Sequence, residues 1–273
     1  MNIRFGPAGL GKVKEAIDNL NEFHNLGLRA CEIAFTYGVY IKDIKDARLI
    51  GNHAKKLDIK LSIHAPYWIN LNSKEKIKVE QSKQRILDCC KIGEELGAEI
   101  VVFHPGYYAG MSQEQTYNNI KNAILDIKKI IQKNKWKINI APETMGKINV
   151  FGSFQQISDL AKETNSRFCI DFAHIEARDK KIDYERIKYA FSKFKDWHVH
   201  FSGIEYTKAG EKRHIRTPKE KIKELLKNLP KDKNIVIINE SPNMIEDSVE
   251  SLNIFNSIKN KIVQKITFKR KKT

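Results

Sequence analysis

Short apolar runs rich in β-branched residues alternate along the chain with longer stretches in which apolar residues recur at helical spacing. The runs span approximately Asn2 to Gly6, Arg29 to Ala34, Lys60 to His64, Glu99 to His104, Lys137 to Pro142, Arg167 to Asp171, Trp197 to Ser202 and Asn234 to Asn239. Strands that are apolar at consecutive positions are buried on both faces, as in a parallel sheet covered by helices. Between them, Ile120, Ala123, Ile124, Ile127, Ile130 and Ile131 fall on one helical face, as do Leu252, Phe255, Ile258 and Ile262. Eight strands, each followed by a helix, predict an α/β fold of the (β/α)8 TIM-barrel type. A doubly wound sheet is disfavoured, because the first turn, Gly6-Pro7-Ala8-Gly9-Leu10-Gly11, has neither dinucleotide-binding spacing nor a Lys-Ser/Thr ending. It reads as a tight loop after the first strand, close to a backbone phosphate. One barrel domain is expected over 1–264, with a basic tail over 265–273.

The strand ends carry the chemistry. Leu61 to Ile63 runs into His64, Ile100 to Phe103 into His104, Ile138 to Pro142 into Glu143, Phe168 to Ile170 into Asp171, and Ile235 to Asn239 into Glu240. In a parallel barrel the C-terminal strand ends converge on one face, where active sites are built. A single histidine at a strand end is more often a satisfied polar residue than a ligand; recurrence at successive strand ends is much harder to explain that way. With His174, His200 and His214 added, the set holds imidazoles and carboxylates without thiolates. That mixture suits Zn²⁺ or Mn²⁺ in sites with open positions. Eight donors exceed what one ion can use, so a cluster of two or three ions is expected, of the kind that activates water and clamps phosphoryl oxygens. His24 and His53 read as surface residues, His198 as a core or supporting residue, and Glu32 as a buried carboxylate of open role.

Long polar loops are expected at Ala65 to Ser73 and Gly203 to Pro218, where a barrel builds its substrate surface. Tyr67 and Trp68 follow His64 and read as a wedge that stacks on bases or fills a gap in a duplex. Tyr107 and Tyr108 fit a hydrophobic roof equally well. Lys208, Lys212, Arg213 and Arg216 crowd the second loop, where phosphate contacts are expected. The chain carries 49 Lys and Arg against 33 Asp and Glu, a formal charge of +16. That balance favours polyanionic partners, although a general Lys, Ile and Asn bias would produce it too. Cys31, Cys89, Cys90 and Cys169 lie in apolar stretches without CxxC spacing, which predicts buried thiols. No apolar stretch is long enough for a bilayer and no signal-peptide pattern opens the chain, so a soluble cytoplasmic protein is expected.

At these residues the chain resembles the endonuclease IV family of apurinic/apyrimidinic endonucleases, within the xylose-isomerase-like barrels. The resemblance covers nearly the whole chain and rests on motifs in order: His64-Ala-Pro-Tyr67, Phe103-His104-Pro105-Gly106, Pro142-Glu143-Thr144, Cys169-Ile170-Asp171-Phe172-Ala173-His174, His198-Val199-His200-Phe201-Ser202 and Glu240-Ser241-Pro242. It implies a trinuclear zinc site. His64 and His104 would hold one ion, and Glu143 would bridge it to a second held by Asp171, His200 and Glu240. His174 and His214 would hold the third. The chain departs from the family at one ligand: an Asp is normal two residues before the last His, and here that position is Lys212, with Glu211 one step earlier. Either Glu211 takes the role through a shifted loop, or the third ion is held more weakly. The first strand also has Arg4 and Pro7 where the family often has a His, and the loop after strand two differs at Tyr37 to Tyr40.

The resemblance implies cleavage of duplex DNA on the 5′ side of an abasic site, leaving a 3′-hydroxyl and a 5′-deoxyribose phosphate. Glu143 would be the catalytic residue, bridging ions and orienting the attacking water. The protein is expected to act as a monomer, associated with the nucleoid when bound to DNA. The alternatives are a divalent-metal-dependent sugar isomerase or epimerase on the same barrel, and a non-catalytic DNA-damage-binding module. The number of histidine donors, the basic loop and the aromatic pair oppose the first; retention of nearly every ligand opposes the second.

Overall fold

The computed structural model describes residues 2–270, with side chains through Lys261 in the last helix; the expected basic tail, 265–273, lies outside the described side chains. Eight parallel strands form the barrel wall: β1 (Asn2–Pro7), β2 (Ala30–Ala34), β3 (Lys60–His64), β4 (Ile100–Phe103), β5 (Asn139–Pro142), β6 (Cys169–Asp171), β7 (Asp196–Phe201) and β10 (Asn234–Asn239). The two remaining strands, β8 (Gly203–Thr207) and β9 (Gly210–Ile215), make an antiparallel hairpin. The polar loop expected there is thus mostly ordered β-structure. The outer layer is α1 (Ala16–Asn25), α2 (Ile44–Lys56), α3 (Lys76–Leu96), α4 (Gln113–Lys133), α5 (Phe154–Thr164), α6 (Phe172–Asp179), α7 (Tyr184–Ala190), α8 (Lys219–Asn228) and α9 (Met244–Arg270).

The strands form two parallel arcs, β2-β3-β4-β5 and β1-β10-β7-β6. One seam closes where Glu143 pairs with Cys169 and Arg167 N donates to Ile140 O at 3.0 Å. The other closes where Arg29 N donates to Phe5 O at 3.0 Å. At that second seam the backbones approach so closely that a Cβ on Gly6 would stand 1.8 Å from Ala30 O.

Register decides which side chains enter the barrel. His64 lies level with Val102, Val102 with Ala141, Asp171 with His200, and His200 with Ile238. His104, Glu143 and Glu240 each sit two residues beyond one of these partners, so the period-two alternation of a strand keeps all of them on the inner side. Below this layer the interior holds Ile100, Val102, Ala141 and Cys169 together with Glu32, Ser62 and His198. The main apolar core lies between the wall and the helices and contains Ile120, Ile124, Ile127 and Ile131 of α4. Ile130, placed on that face by spacing, is half-exposed because it falls on the edge of the stripe. All four cysteines are buried free thiols. His24 and His53, expected on the surface, are half-buried and bridge α1 and α2, through His24 Nδ1 to Leu57 O (3.0 Å) and His53 Nε2 to Asn21 Oδ1 (2.8 Å). Among the described residues no helix is long and apolar enough to cross a membrane.

Gly6→Ala tests the seam. It is expected to lower the unfolding free energy by about 3 kcal/mol, the upper part of the usual overpacking range, read as a drop in the urea midpoint. An unshifted midpoint would mean that β1 and β2 separate without cost.

Candidate metal centre

A cavity of about 330 Å³ opens at the C-terminal face, lined by His64, Tyr67, His104, His174, His214 and Glu240 among others. The predicted donors come together around one carboxylate. Glu143 is fully buried, with Oε2 3.2 Å from His64 Nε2 and 3.1 Å from His104 Nε2, and Oε1 3.3 Å from both His174 Nδ1 and His200 Nδ1. Four groups have one donor atom from each member within 4.8 Å of the others among the described residues: Cys169, His198 and His200, beneath the cavity, and three formed by the predicted donors, namely His64, His104 and Glu143; Glu143, Asp171, His200 and Glu240; and Asp171, His174 and His214. The last group includes Asp171 beside the two histidines expected there.

Neighbouring polar groups aim the imidazoles. His64 Nδ1 meets Ala65 O at 2.8 Å, and His174 Nδ1 meets Thr144 O at 2.9 Å, so each Nδ1–H is donated to a carbonyl and Nε2 is left as a donor atom. Ser202 Oγ donates to Gly203 O and lies 2.6 Å from His214 Nδ1, which fixes His214 in the same way. His200 is reversed. Its Nδ1 lies 3.3 Å from both Glu143 and Glu240, while Nε2 lies 2.9 Å from Glu32 Oε1. Glu32 Oε2 also holds His198 Nε2 at 3.0 Å and accepts from Ser62 Oγ at 2.8 Å. The open role of Glu32 is therefore that of a buried anchor beneath His200, with His198 beside it. Thr144, acting through its main-chain carbonyl, and Ser202, acting through its hydroxyl, enter the sequence reading only as motif members, since neither a backbone acceptor nor a lone hydroxyl after a strand end marks a partner by spacing.

The electrostatics require positive charge. Glu32, Glu143, Asp171, Glu211 and Glu240 have only imidazoles as cationic partners among the described residues. Burial pushes against ionisation, yet the surrounding imidazoles hold Glu143 and Glu32 well below the usual carboxylate range and pull Glu240 down to about 2. Asp171 goes the other way, to about 6, through burial and the nearby Glu240 and Glu143 carboxylates, against the pull of His174. Burial disfavours charge on His64, but Glu143 holds it up at about 9. Asp171 Oδ1 caps α6 by accepting from His174 N at 2.8 Å, and its other oxygen, Oδ2, is buried without a hydrogen-bond partner. Buried carboxylates in this number, with Asp171 Oδ2 and Glu32 Oε1 accepting no hydrogen bond, and imidazoles with aimed nitrogens fit divalent cations.

The rim contains the predicted aromatics in two roles. Tyr67 stacks over the His104 ring, with centroids 5.5 Å apart and planes at 21°. It is thus half wall of the site rather than a free wedge. Trp68 is 51% exposed and packs against Tyr37, which is 84% exposed. Tyr107 is exposed on the cavity, whereas Tyr108 packs on Phe151 and meets Gln156. The basic set is less free than its charge suggests. Lys212 and Arg213 pair with Glu205 at 3.2 and 2.6 Å, and Arg216 lies 3.6 Å from Asp247; Lys208 is exposed in the hairpin turn. None of the four lines the cavity; Lys147, which no motif marks, does. The Gly6 to Gly11 turn does not line it either. Leu10 is buried there, and the carbonyls of Leu10 and Gly11 accept from Asn19 and Tyr40.

A profile of the xylose isomerase-like TIM-barrel family matches residues 20–257. An uncharacterised protein of Methanocaldococcus jannaschii is 36% identical over 274 residues, covering 93% of this chain and 97% of the relative. A probable endonuclease 4 of Aquifex aeolicus is 26% identical over 162 residues, covering 57% of this chain and 55% of the relative. An apurinic-apyrimidinic endonuclease of Caenorhabditis elegans is 27% identical over 144 residues, covering 49% and 36%. The chain thus matches about half or less of the length of those two nucleases. Among solved structures, endonuclease IV from Thermus thermophilus aligns with a TM-score of 0.69 at 19% identity, covering 94% of this chain and 98% of that one. A D-psicose 3-epimerase from Clostridium cellulolyticum aligns equally well, with a TM-score of 0.69 at 13% identity and coverage of 94% and 99%. At these identities the two structures share the fold with this chain and nothing finer.

Glu32→Gln tests the anchor beneath His200. Removing such a partner typically costs about 10- to 100-fold in metal affinity, and a loss of that size is expected in zinc titrations against a competing chelator. Unchanged affinity would remove Glu32 from the centre.

Proposed function

The chain belongs to the xylose isomerase-like TIM-barrel family, and from that premise we propose that it is a metal-dependent phosphodiester hydrolase that cuts duplex DNA 5′ to abasic sites. The observation that carries this reading is the convergence of His64, His104, Glu143, Asp171, His174, His200, His214 and Glu240 into three adjoining donor groups around shared carboxylates. A sugar epimerase on the same barrel needs fewer donors, and the likeness to an epimerase structure extends to the fold alone. Relatives named as apurinic-apyrimidinic endonuclease and probable endonuclease 4 add support for the nuclease.

Two or three Zn²⁺ ions, or Mn²⁺, bound among these residues would supply Lewis acidity to the scissile phosphate and lower the pKa of water at the site. His64 and His104 present Nε2 to one oxygen of Glu143 and His200 presents Nδ1 to the other, while His174, whose Nδ1 is bonded to Thr144 O, keeps Nε2 free as a donor. Glu143 thereby stands between donor groups, where its carboxylate orients the attacking water. Lys147 is the one Lys or Arg side chain lining the cavity among the described residues, and is placed to contact a phosphate. At about 330 Å³ the cavity is near the lower end of small-molecule pockets, a size that suits a flipped-out sugar without its base. Trp68 and Tyr37 provide exposed ring faces outside it on which the bases beside the gap stack. Lys208, Lys212, Arg213 and Arg216 add phosphate contacts along the hairpin, and the formal charge of +16 raises the encounter rate with DNA.

A labelled duplex carrying one tetrahydrofuran abasic analogue, which cannot undergo β-elimination, separates hydrolysis from lyase chemistry. We expect a 5′-side nick ending in a 3′-hydroxyl, abolished by His104→Ala and by prolonged chelation, and restored by zinc or manganese. Intact duplex under every metal condition rejects the endonuclease, and turnover of a ketose in its place would assign the barrel to epimerases. Trp68→Ala is expected to weaken binding of the abasic duplex by about 10- to 100-fold, the worth of stacking on one aromatic side chain, with bound metal unchanged. Equal affinity in a fluorescence anisotropy titration would remove the stacking role.

A further inference from the structure

The hairpin that carries His214 contains an irregularity with a chemical consequence. Ile204 lies opposite His214, Glu205 opposite Arg213, and Tyr206 opposite Glu211, with the register shifting between Glu205 and Tyr206. Lys212 is therefore an extra residue with no partner across the ladder, a β-bulge. On a regular strand, residues three apart face opposite sides. The bulge cancels one step, so Glu211 and His214 lie opposite Tyr206 and Ile204, which share a face. Both side chains line the metal cavity, and Glu211 Oε2 lies 3.4 Å from His174 Nε2. Lys212 and Arg213 are turned outward onto Glu205.

The neighbouring loop is shaped to receive this carboxylate. A Cβ on Gly146 would stand 2.7 Å from Glu211 Cβ, 2.9 Å from Glu211 Oε2 and 3.1 Å from His174 Cδ2, so only glycine leaves the space. Glu211 N donates to Gly146 O at 3.1 Å, Lys147 bridges Gly210 in antiparallel fashion, and Ile148 N donates to Ala209 O at 3.3 Å. Gly210 has φ of +109°, and a Cβ there would stand 2.3 Å from Gly146 O. Arg178 Nη1 of α6 donates to Lys147 O at 2.7 Å and Val150 O at 2.9 Å, which holds the loop against α6.

We propose that Glu211 is a metal ligand, completing with His174 and His214 an outermost ion site that the bulge at Lys212 and the gap at Gly146 make possible. The inference rests on the metal-dependent reading above and deepens it. A Glu three residues before the His, with a bulge between, occupies the face that an acidic residue two before it would hold on a regular strand. The longer Glu side chain is accommodated because Gly146 offers no Cβ.

Metal content tests this apart from activity. Chelated wild type, Glu211→Gln, Lys212→Ala and Gly146→Ala proteins are reloaded with zinc, desalted and assayed by elemental analysis, with affinities read against a competing chelator dye. Wild type and Lys212→Ala are expected to retain the same number of ions. Glu211→Gln is expected to retain one fewer, or to bind the weakest ion at least about tenfold less tightly, and Gly146→Ala to follow it, because its methyl group displaces the carboxylate. Glu211→Gln is conservative and the residue is partly exposed, so the fold is expected to persist, checked by circular dichroism. Wild-type loading and affinity in Glu211→Gln would overturn the assignment while leaving the metal-dependent reading intact. A wild-type protein that takes up no zinc would overturn both.

Discussion

The structure depends on one buried carboxylate. Glu143 has no exposure to water, and its two oxygens are shared among four imidazoles at 3.1 to 3.3 Å. An ionised carboxylate in such a place is costly unless charge of the opposite sign meets it. Asp171 and Glu240 stand beside it, and Glu32 lies one layer below, so the mouth of the barrel concentrates negative charge that only histidines offset in the described residues. Divalent cations held there would remove that conflict, and the aiming of the imidazoles by carbonyls and a hydroxyl suits that use.

The barrel is what makes this concentration geometrically possible. Parallel strands stagger around the wall, and each shift by an even number of residues keeps the same alternation facing inward. Hence His64, His104, Glu143, Asp171, His200 and Glu240 reach one layer although they come from six different strands. The layer beneath is part apolar, with Val102, Ala141 and Cys169, and part polar, with Glu32, Ser62 and His198. The apolar half excludes water. The polar half places the Glu32 carboxylate 2.9 Å from the far nitrogen of His200, a charge partner beneath the ring.

Function is added at the rim by loops of different stiffness. The loop after β3 carries Tyr67 onto His104 and leaves Trp68 to meet Tyr37 outside. The hairpin after β7 is tied to the loop after β5 through backbone bonds, and Arg178 of α6 holds that loop from its other side. That tie brings Lys147 and Glu211 to the same cavity from two loops distant in sequence. Several of the basic residues on the hairpin are engaged by Glu205 and Asp247, so the free positive charge near the site is smaller than a residue count suggests.

The barrel, the eight strands and the convergence of the eight candidate donors on one face were legible in the sequence, because strand alternation and apolar runs are local properties and a side chain at a strand end keeps its place whatever surrounds it. Partnerships across the barrel were not. Glu32 beneath His200, Thr144 and Ser202 behind their histidines, and Lys147 in the cavity depend on register between strands or loops far apart in the chain, which no local spacing encodes. The same holds for Tyr67, a wall residue because His104 lies under it, and for His24 and His53, half-buried by the packing of α1 on α2. Lys212 is the sharpest instance. By sequence it stands where an acidic residue is expected, and only the bulge in the folded hairpin turns it outward and brings Glu211 onto the face of His214. Sequence sets which donors the chain carries and the parity of those on regular strands; tertiary structure decides parity wherever a strand is irregular, since a bulge is fixed by what the hairpin packs against.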